Sequence, residues 1–194
     1  LTNMAPPDIF TPGNHEYDFG ADVFMKRMKE AKFPLFAANL RTADGKPIDG
    51  FRDSVIMDIG GAKIGFVGTT AEDSPVKSSP GDTLKFLPTL DTVVAEAKKL
   101  REGGADIVVA VIHANREVDR AVFDSRAADI VLTGDDHDLA LFFDGRTAMV
   151  ESKEEAEFVT AVDVKIDIDE KDGKRTVKWY PGFRFIDTAS VAPD

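Results

Sequence analysis

Two apolar runs constrain the fold of this chain most: DIVVAVI at Asp106–Ile112 and DIVLT at Asp129–Thr133. A strand that reads as an unbroken Val/Ile/Leu run is apolar on both faces, so both faces must be covered. That is the pattern of a parallel strand inside a layered α/β sheet, and it places helices on both sides of a largely parallel sheet. The helical spacing lies where such a fold needs it. Ala21–Ala31 carries Val23, Phe24 and Met28 on one side, and Thr89–Arg101 carries Val93, Val94, Ala97 and Leu100. A third helix over Val118–Ala127 joins the two apolar runs. Gly103 and Gly104 follow the second helix, where a left-handed cap would sit, and Asp91 favours its first turn.

Further strands are expected at Ser54–Ile59 and Lys63–Val67, while the alternation in FVTAVDVKIDI and, past Asp172-Gly173, in RTVKWY predicts an antiparallel hairpin. Turn-forming residues gather at Asp44–Gly50, Glu72–Asp82 and Lys171–Lys174, which are expected to be surface loops. With no repeat and no linker, residues 1–194 are expected to form one domain.

Charge and composition exclude several functions. A formal charge of −11 argues against a broad surface for DNA, RNA or anionic lipid, because polyanion binding begins with Lys and Arg neutralising phosphates. A phosphate-bearing ligand therefore needs a local positive centre, which a bound metal cation supplies. The absence of Cys rules out thiolate nucleophiles, thiolate metal sites and disulfides. No apolar run approaches the roughly 18 residues of a membrane span, and LTNMAPPD lacks the pattern of a secretory signal.

Ligands of open α/β sheets collect at the carboxyl ends of strands. There the chain places all three of its histidines: His15 in GNHEYD after DIFTP, His113 after DIVVAVI, and His137 in GDDHD after DIVLT. A single histidine at a strand end is more often a hydrogen-bonded loop residue than a ligand, but three of three point to one centre. Imidazoles with neighbouring carboxylates and an amide suit Mn, Fe, Zn, Mg or a mixed pair.

GNHEYDFG at Gly13–Gly20 resembles the GNHE-x-D block of the calcineurin-like metallophosphoesterases, in particular their 5′-nucleotidase branch. FPLFAANL, GAKIGFVGTT, the strand ending at His113, and DIVLTGDDHDL follow in the family's order, so the resemblance spans nearly the whole chain. It implies a layered α/β-β-α sandwich with helices packed on mixed sheets, lacking its first strands. It also implies a two-metal centre with Mn favoured, and hydrolysis of a small phosphate ester, in particular a nucleotide monoester or cyclic nucleotide. By position, Asn14 and His113 resemble ligands of the second metal, His15 the group that assists the leaving alkoxide, and Asp18 the carboxylate that orients His15. His137 matches the second histidine of the family's G-H-x-H sequence. Asp135 stands where the first is expected, a hard ligand that favours Mn or Mg over Zn. Asp136 and Asp138 read as solvated loop residues. Asn39 and Asn115 either touch the site or cap turns.

The family also has an Asp-x-His and a Gly-Asp upstream of the GNHE block, and the residues before Gly13 contain neither. The expectation is therefore an internal piece of a longer, exported or periplasmic enzyme, without the family's C-terminal nucleotide-binding domain and poorly active alone. Two alternatives stay open: a non-catalytic relative serving as a binding or scaffold module, and a plain small-molecule binder with unrelated histidines. Oligomeric state is not legible.

Overall fold

The computed structural model describes residues 2–191. After a single helical turn at Asn14–Tyr17 come helix α1 (Ala21–Lys29) and the short strands β1 (Leu35–Phe36), β2 (Leu40–Thr42) and β3 (Phe51–Arg52). Then follow β4 (Ser54–Ile59), β5 (Ala62–Thr69), α2 (Ser74–Lys77), β6 (Leu84–Phe86), α3 (Thr89–Glu102) and β7 (Ile107–Ile112). The remainder comprises α4 (Arg116–Ser125), β8 (Ile130–Thr133), β9 (Leu139–Phe143), β10 (Ala148–Ser152), β11 (Phe158–Lys171) and β12 (Lys174–Asp187).

One six-stranded sheet in the order β4-β5-β7-β8-β10-β9 organises the chain. Its four inner strands run parallel and its two edge strands antiparallel. The apolar runs DIVVAVI and DIVLT supply two of those inner strands, and Val108 and Val131 are fully buried. On one face Val93, Ala97 and Leu100 of α3 and Val122 and Phe123 of α4 pack against Val67, Val108, Ala110 and Val131. Here α4 starts two residues earlier than its apolar spacing suggests, because the Asn115 side chain accepts the Val118 N–H at 3.1 Å and caps it. It stops at Ser125 because Arg126 turns left-handed, with φ 55°.

The opposite face corrects the expectation of helices on both sides: among the described residues it is covered by the β11–β12 hairpin. Val162, Val164 and Ile166 alternate onto one side of β11 and, with Trp179 of β12, close over Ile64, Ile107, Val109 and Ile130. An alternating ribbon buries an apolar sheet face as well as a helix does, and the double apolar character of the inner strands cannot tell the two covers apart.

A second core lies beneath the GNHEYD segment, where Tyr17, Phe24, Ala37, Leu40, Ile48 and Leu84 are buried together. The Tyr17 ring lies 4.5 Å from that of Phe24, so α1 anchors the turn that carries Asn14 and His15.

Candidate metal centre

Beyond the ends of β5 and β7 the backbone stays zipped: the His113 N–H donates to Thr69 O at 3.0 Å and the Ala114 N–H to Gly134 O at 3.2 Å. This holds the segments after β5, β7 and β8 side by side at the carboxyl end of the sheet. The GNHEYD turn packs against them, and Gly13 lies so close under the His113 ring that a Cβ there would stand 2.8 Å from Cε1. Glycine is required at this position by contact, not by dihedral angle.

Three donors meet at His113. Its Nε2 lies 3.0 Å from Asn14 Oδ1 and 3.2 Å from Asp135 Oδ1; Asn14 is buried, and the Asp135 side chain is 6% exposed. Burial pushes the His113 imidazole below its ordinary pKa, against the opposing pull of Asp135 and Glu16. A neutral imidazole with two hard oxygens at this spacing fits one divalent metal ion. Asp135 is held with φ 130° and His137 with φ 63°, conformations that cost a non-glycine residue energy and that cluster at functional sites.

His15 stands apart from that trio, with its side chain 77% exposed and its Nδ1 2.8 Å from Asp18 Oδ2. The hydrogen bond and charge of Asp18 raise the His15 pKa. Asp18 in turn is lowered, first by Ser78, whose hydroxyl donates to its other oxygen at 2.6 Å, and then by His15. His137 Nδ1 pairs with Glu154 Oε2 at 2.7 Å. Among the described residues the sole trio of histidine or carboxylate atoms within 4.8 Å of one another is Asp119, Asp136 and Glu151. His137 therefore does not join His113 and Asp135 at that spacing.

Asn39 and Asn115 serve as turn and cap residues. Asn39 is fully buried, with its amide donating to Thr70 O at 2.8 Å and its Oδ1 accepting from Thr70 N at 2.9 Å. Asn115 caps α4 and also donates to Asp73 Oδ2 at 3.4 Å.

Sequence reasoning missed Lys77. The stretch Glu72–Asp82, expected to be loop throughout, contains the one-turn helix α2, and Lys77 at its end pairs with Asp135 and, at 3.1 Å, with Asp73. The strand-end rule that found the histidines applies equally to the residues after β5, but a lone lysine in a Ser/Pro-rich turn carries no motif.

No family model matches the chain. A calcineurin-like phosphoesterase from Bacillus subtilis superposes with a TM-score of 0.76 at 19% identity, over 97% of this chain and 66% of that one. The architecture is that of the calcineurin-like phosphoesterases. Within that class the chain is similar to 5′-nucleotidases. A 5′-nucleotidase from Diplobatis ommata is 33% identical over 127 residues, 63% of this chain and 22% of the relative. A snake venom 5′-nucleotidase from Crotalus adamanteus is 30% identical over 132 residues, 66% of this chain and 22% of the relative. The chain thus spans about a fifth of the length of these curated relatives.

Proposed function

We propose that residues 1–194 act as one domain that contributes Asn14, His15, Asp18, His113 and Asp135 to a divalent-metal phosphoesterase site for nucleotide phosphate esters. The observation that carries this reading is the convergence of Asn14 Oδ1 and Asp135 Oδ1 on His113 Nε2, at 3.0 and 3.2 Å. A bound divalent ion, Mn by the hardness of the oxygen donors, would polarise the phosphoryl group and neutralise charge developing on it. His15 is placed for the other half of the reaction: exposed, and oriented by Asp18, it would donate a proton to the departing alkoxide oxygen. Its raised pKa keeps it a proton donor nearer neutral pH.

His137 is proposed as a ligand that reaches the ion only after leaving Glu154. With three donors gathered at His113, the domain alone would hold one ion weakly and turn over slowly. The relatives named as 5′-nucleotidases support a nucleotide substrate. The venom relative supports an exported, periplasmic or secreted setting, and no helix among the described residues is long and apolar enough to cross a membrane.

The test is Mn²⁺ titration of the chain, followed by hydrolysis of nucleoside monophosphates with Mn²⁺ added. Asn14→Ala and His113→Ala should each weaken Mn²⁺ binding by about tenfold or more, and His15→Ala should lower kcat by roughly 10²–10⁴ with Mn²⁺ binding unchanged. Equal Mn²⁺ affinity in all three variants and the parent would refute the assignment. One observation favours a second reading, a non-catalytic relative: the Lys77 ammonium sits on Asp135, where a cation would otherwise be required. Absence of Mn²⁺ binding by the parent chain, together with absence of turnover, would select it.

A further inference from the structure

Successive residues of the loop after β8 face opposite ways. Asp135 turns toward His113, whereas Asp136 turns behind the loop toward Asp119 of α4 and Glu151 of β10. Each of these three offers a carboxylate oxygen within 4.8 Å of the other two. Two oxygens that share a hard cation at about 2.4 Å stand at most twice that distance apart, so the spacing is that of a common ligand sphere.

Glu151 supplies the observation that distinguishes this group from an ordinary acidic patch. It is 4% exposed, and its Oε1 has no hydrogen-bond partner. Its backbone is fixed in mid-sheet, opposite Thr133 of β8 and Ala140 of β9, so the side chain cannot swing out to water. Glu151 lines a cavity of about 70 Å³ with Asp119, Thr133, Asp136, Asp138 and Arg116, room for an ion with one or two waters. Asp119 is equally withdrawn, 3% exposed, with one oxygen accepting from Thr133 Oγ1 at 2.7 Å.

Arg116 and Lys77 act on Asp136 through their charge without pairing with it. Among the described residues no Lys or Arg pairs with any of the three carboxylates, and the nearby Arg116 is engaged by Asp138 at 2.5 Å. Burial pushes the Asp119 carboxyl up to about 7 and raises Glu151 as well.

We infer that Asp119, Asp136 and Glu151 bind a hard divalent cation of the Ca²⁺/Mg²⁺ class, at a site separate from His113. All protein donors are oxygens, without imidazole, which selects these ions over Zn²⁺. The ion ties α4, β10 and the loop after β8 together, and that loop carries Asp135 in its strained conformation. Its role is to hold the loop against His113.

Calorimetric titration with CaCl2, and with MgCl2 in parallel, tests this on the chain and on Glu151→Gln, Asp136→Asn and His113→Ala. The expected result is binding of one of these ions that survives His113→Ala but weakens by about tenfold or more in Glu151→Gln and in Asp136→Asn. The same ion should raise the thermal midpoint of the parent chain and not that of Glu151→Gln. Asp136 is the more exposed of the three, so its variant keeps the test open if Glu151→Gln fails to fold. Three results would overturn the inference: no binding of either ion, binding abolished by His113→Ala, or unchanged affinity in the carboxamide variants. Absent binding together with a higher thermal midpoint for Glu151→Gln would identify carboxyls that share protons instead.

Discussion

Lys77 and Asp135 form the pair on which the chemistry of the centre turns. The Asp135 side chain is 6% exposed and has Lys77 on one oxygen and His113 on the other, so the carboxylate already has a cation. Burial tends to lower the Lys77 pKa, but its bonds to Asp135 and Asp73 outweigh this and leave it raised, so the ammonium persists at neutral pH. A metal ion at His113 must therefore share Asp135 with a fixed positive charge. Lys77→Met is expected to tighten Mn²⁺ binding about tenfold, equivalent to about 1.4 kcal/mol, read by calorimetric titration. Unchanged or weaker binding would mean that Lys77 orients Asp135 rather than competing for it. The sequence named Asn14, His15 and Asp18 through one local block, and His113, Asp135 and His137 because they follow apolar strand runs. It could not name Lys77 or Glu151, which acquire meaning only from partners 58 residues away in one case and from α4 and the loop after β8 in the other.

Elements place these residues by burying one side and freeing the other. Helix α1 buries Phe24, which is 1% exposed and lies against Tyr17 and, at 5.7 Å, Phe51. Tyr17 ends the turn that begins at Asn14, and its hydroxyl reaches Thr70 Oγ1 at 3.0 Å, so this small core connects the GNHEYD segment to the end of β5. Phe24→Ala should destabilise the chain by about 3–5 kcal/mol, measurable as a lower midpoint in urea. It should also weaken Mn²⁺ binding although Phe24 touches no ligand; retained Mn²⁺ affinity in the folded variant would show that the turn holds itself. The apolar runs and helical spacing made most elements legible. Their ends were not: the start of α4 depends on the Asn115 cap, and α2 is a single turn whose periodicity is too short to read.

At the scale of the whole molecule, the hairpin must be fastened to the sheet it covers. Arg175 of β12 donates to Asp106 through Nε at 3.1 Å and Nη2 at 2.9 Å, and to Gly61 O at 2.8 Å, joining the hairpin to the turn before β5 and the start of β7. The guanidinium, with help from the Lys63 N–H, holds the Asp106 carboxyl below the usual carboxylate range. Because the folded-state pKa is depressed, the stabilisation is present above the ordinary value near 3.9 and is lost as pH falls through the folded one. Acid unfolding should therefore include a component below about pH 4 that Asp106→Asn removes. At neutral pH the variant should be less stable by on the order of 1 kcal/mol, a figure kept small because Arg175 is partly in water. Identical acid-unfolding curves for the two proteins would place the anchorage of the hairpin elsewhere.

By itself the sequence determined β5, β7 and β8 of the four parallel inner strands, the helices of one layer, the antiparallel hairpin and the local GNHEYD block, because each is written in short-range periodicity or in adjacent residues. Only the tertiary structure decided that the hairpin, not a second helical layer, covers the far face. It likewise decided that His113 meets Asn14 and Asp135 while His137 turns to Glu154, and that Lys77 reaches Asp135. It also brought Glu151 to Asp119 and Asp136. The physical reason is common to all of these: each depends on which segments pack side by side, and a carboxylate or lysine read along the chain has the same composition whether water, a partner or another buried charge awaits it.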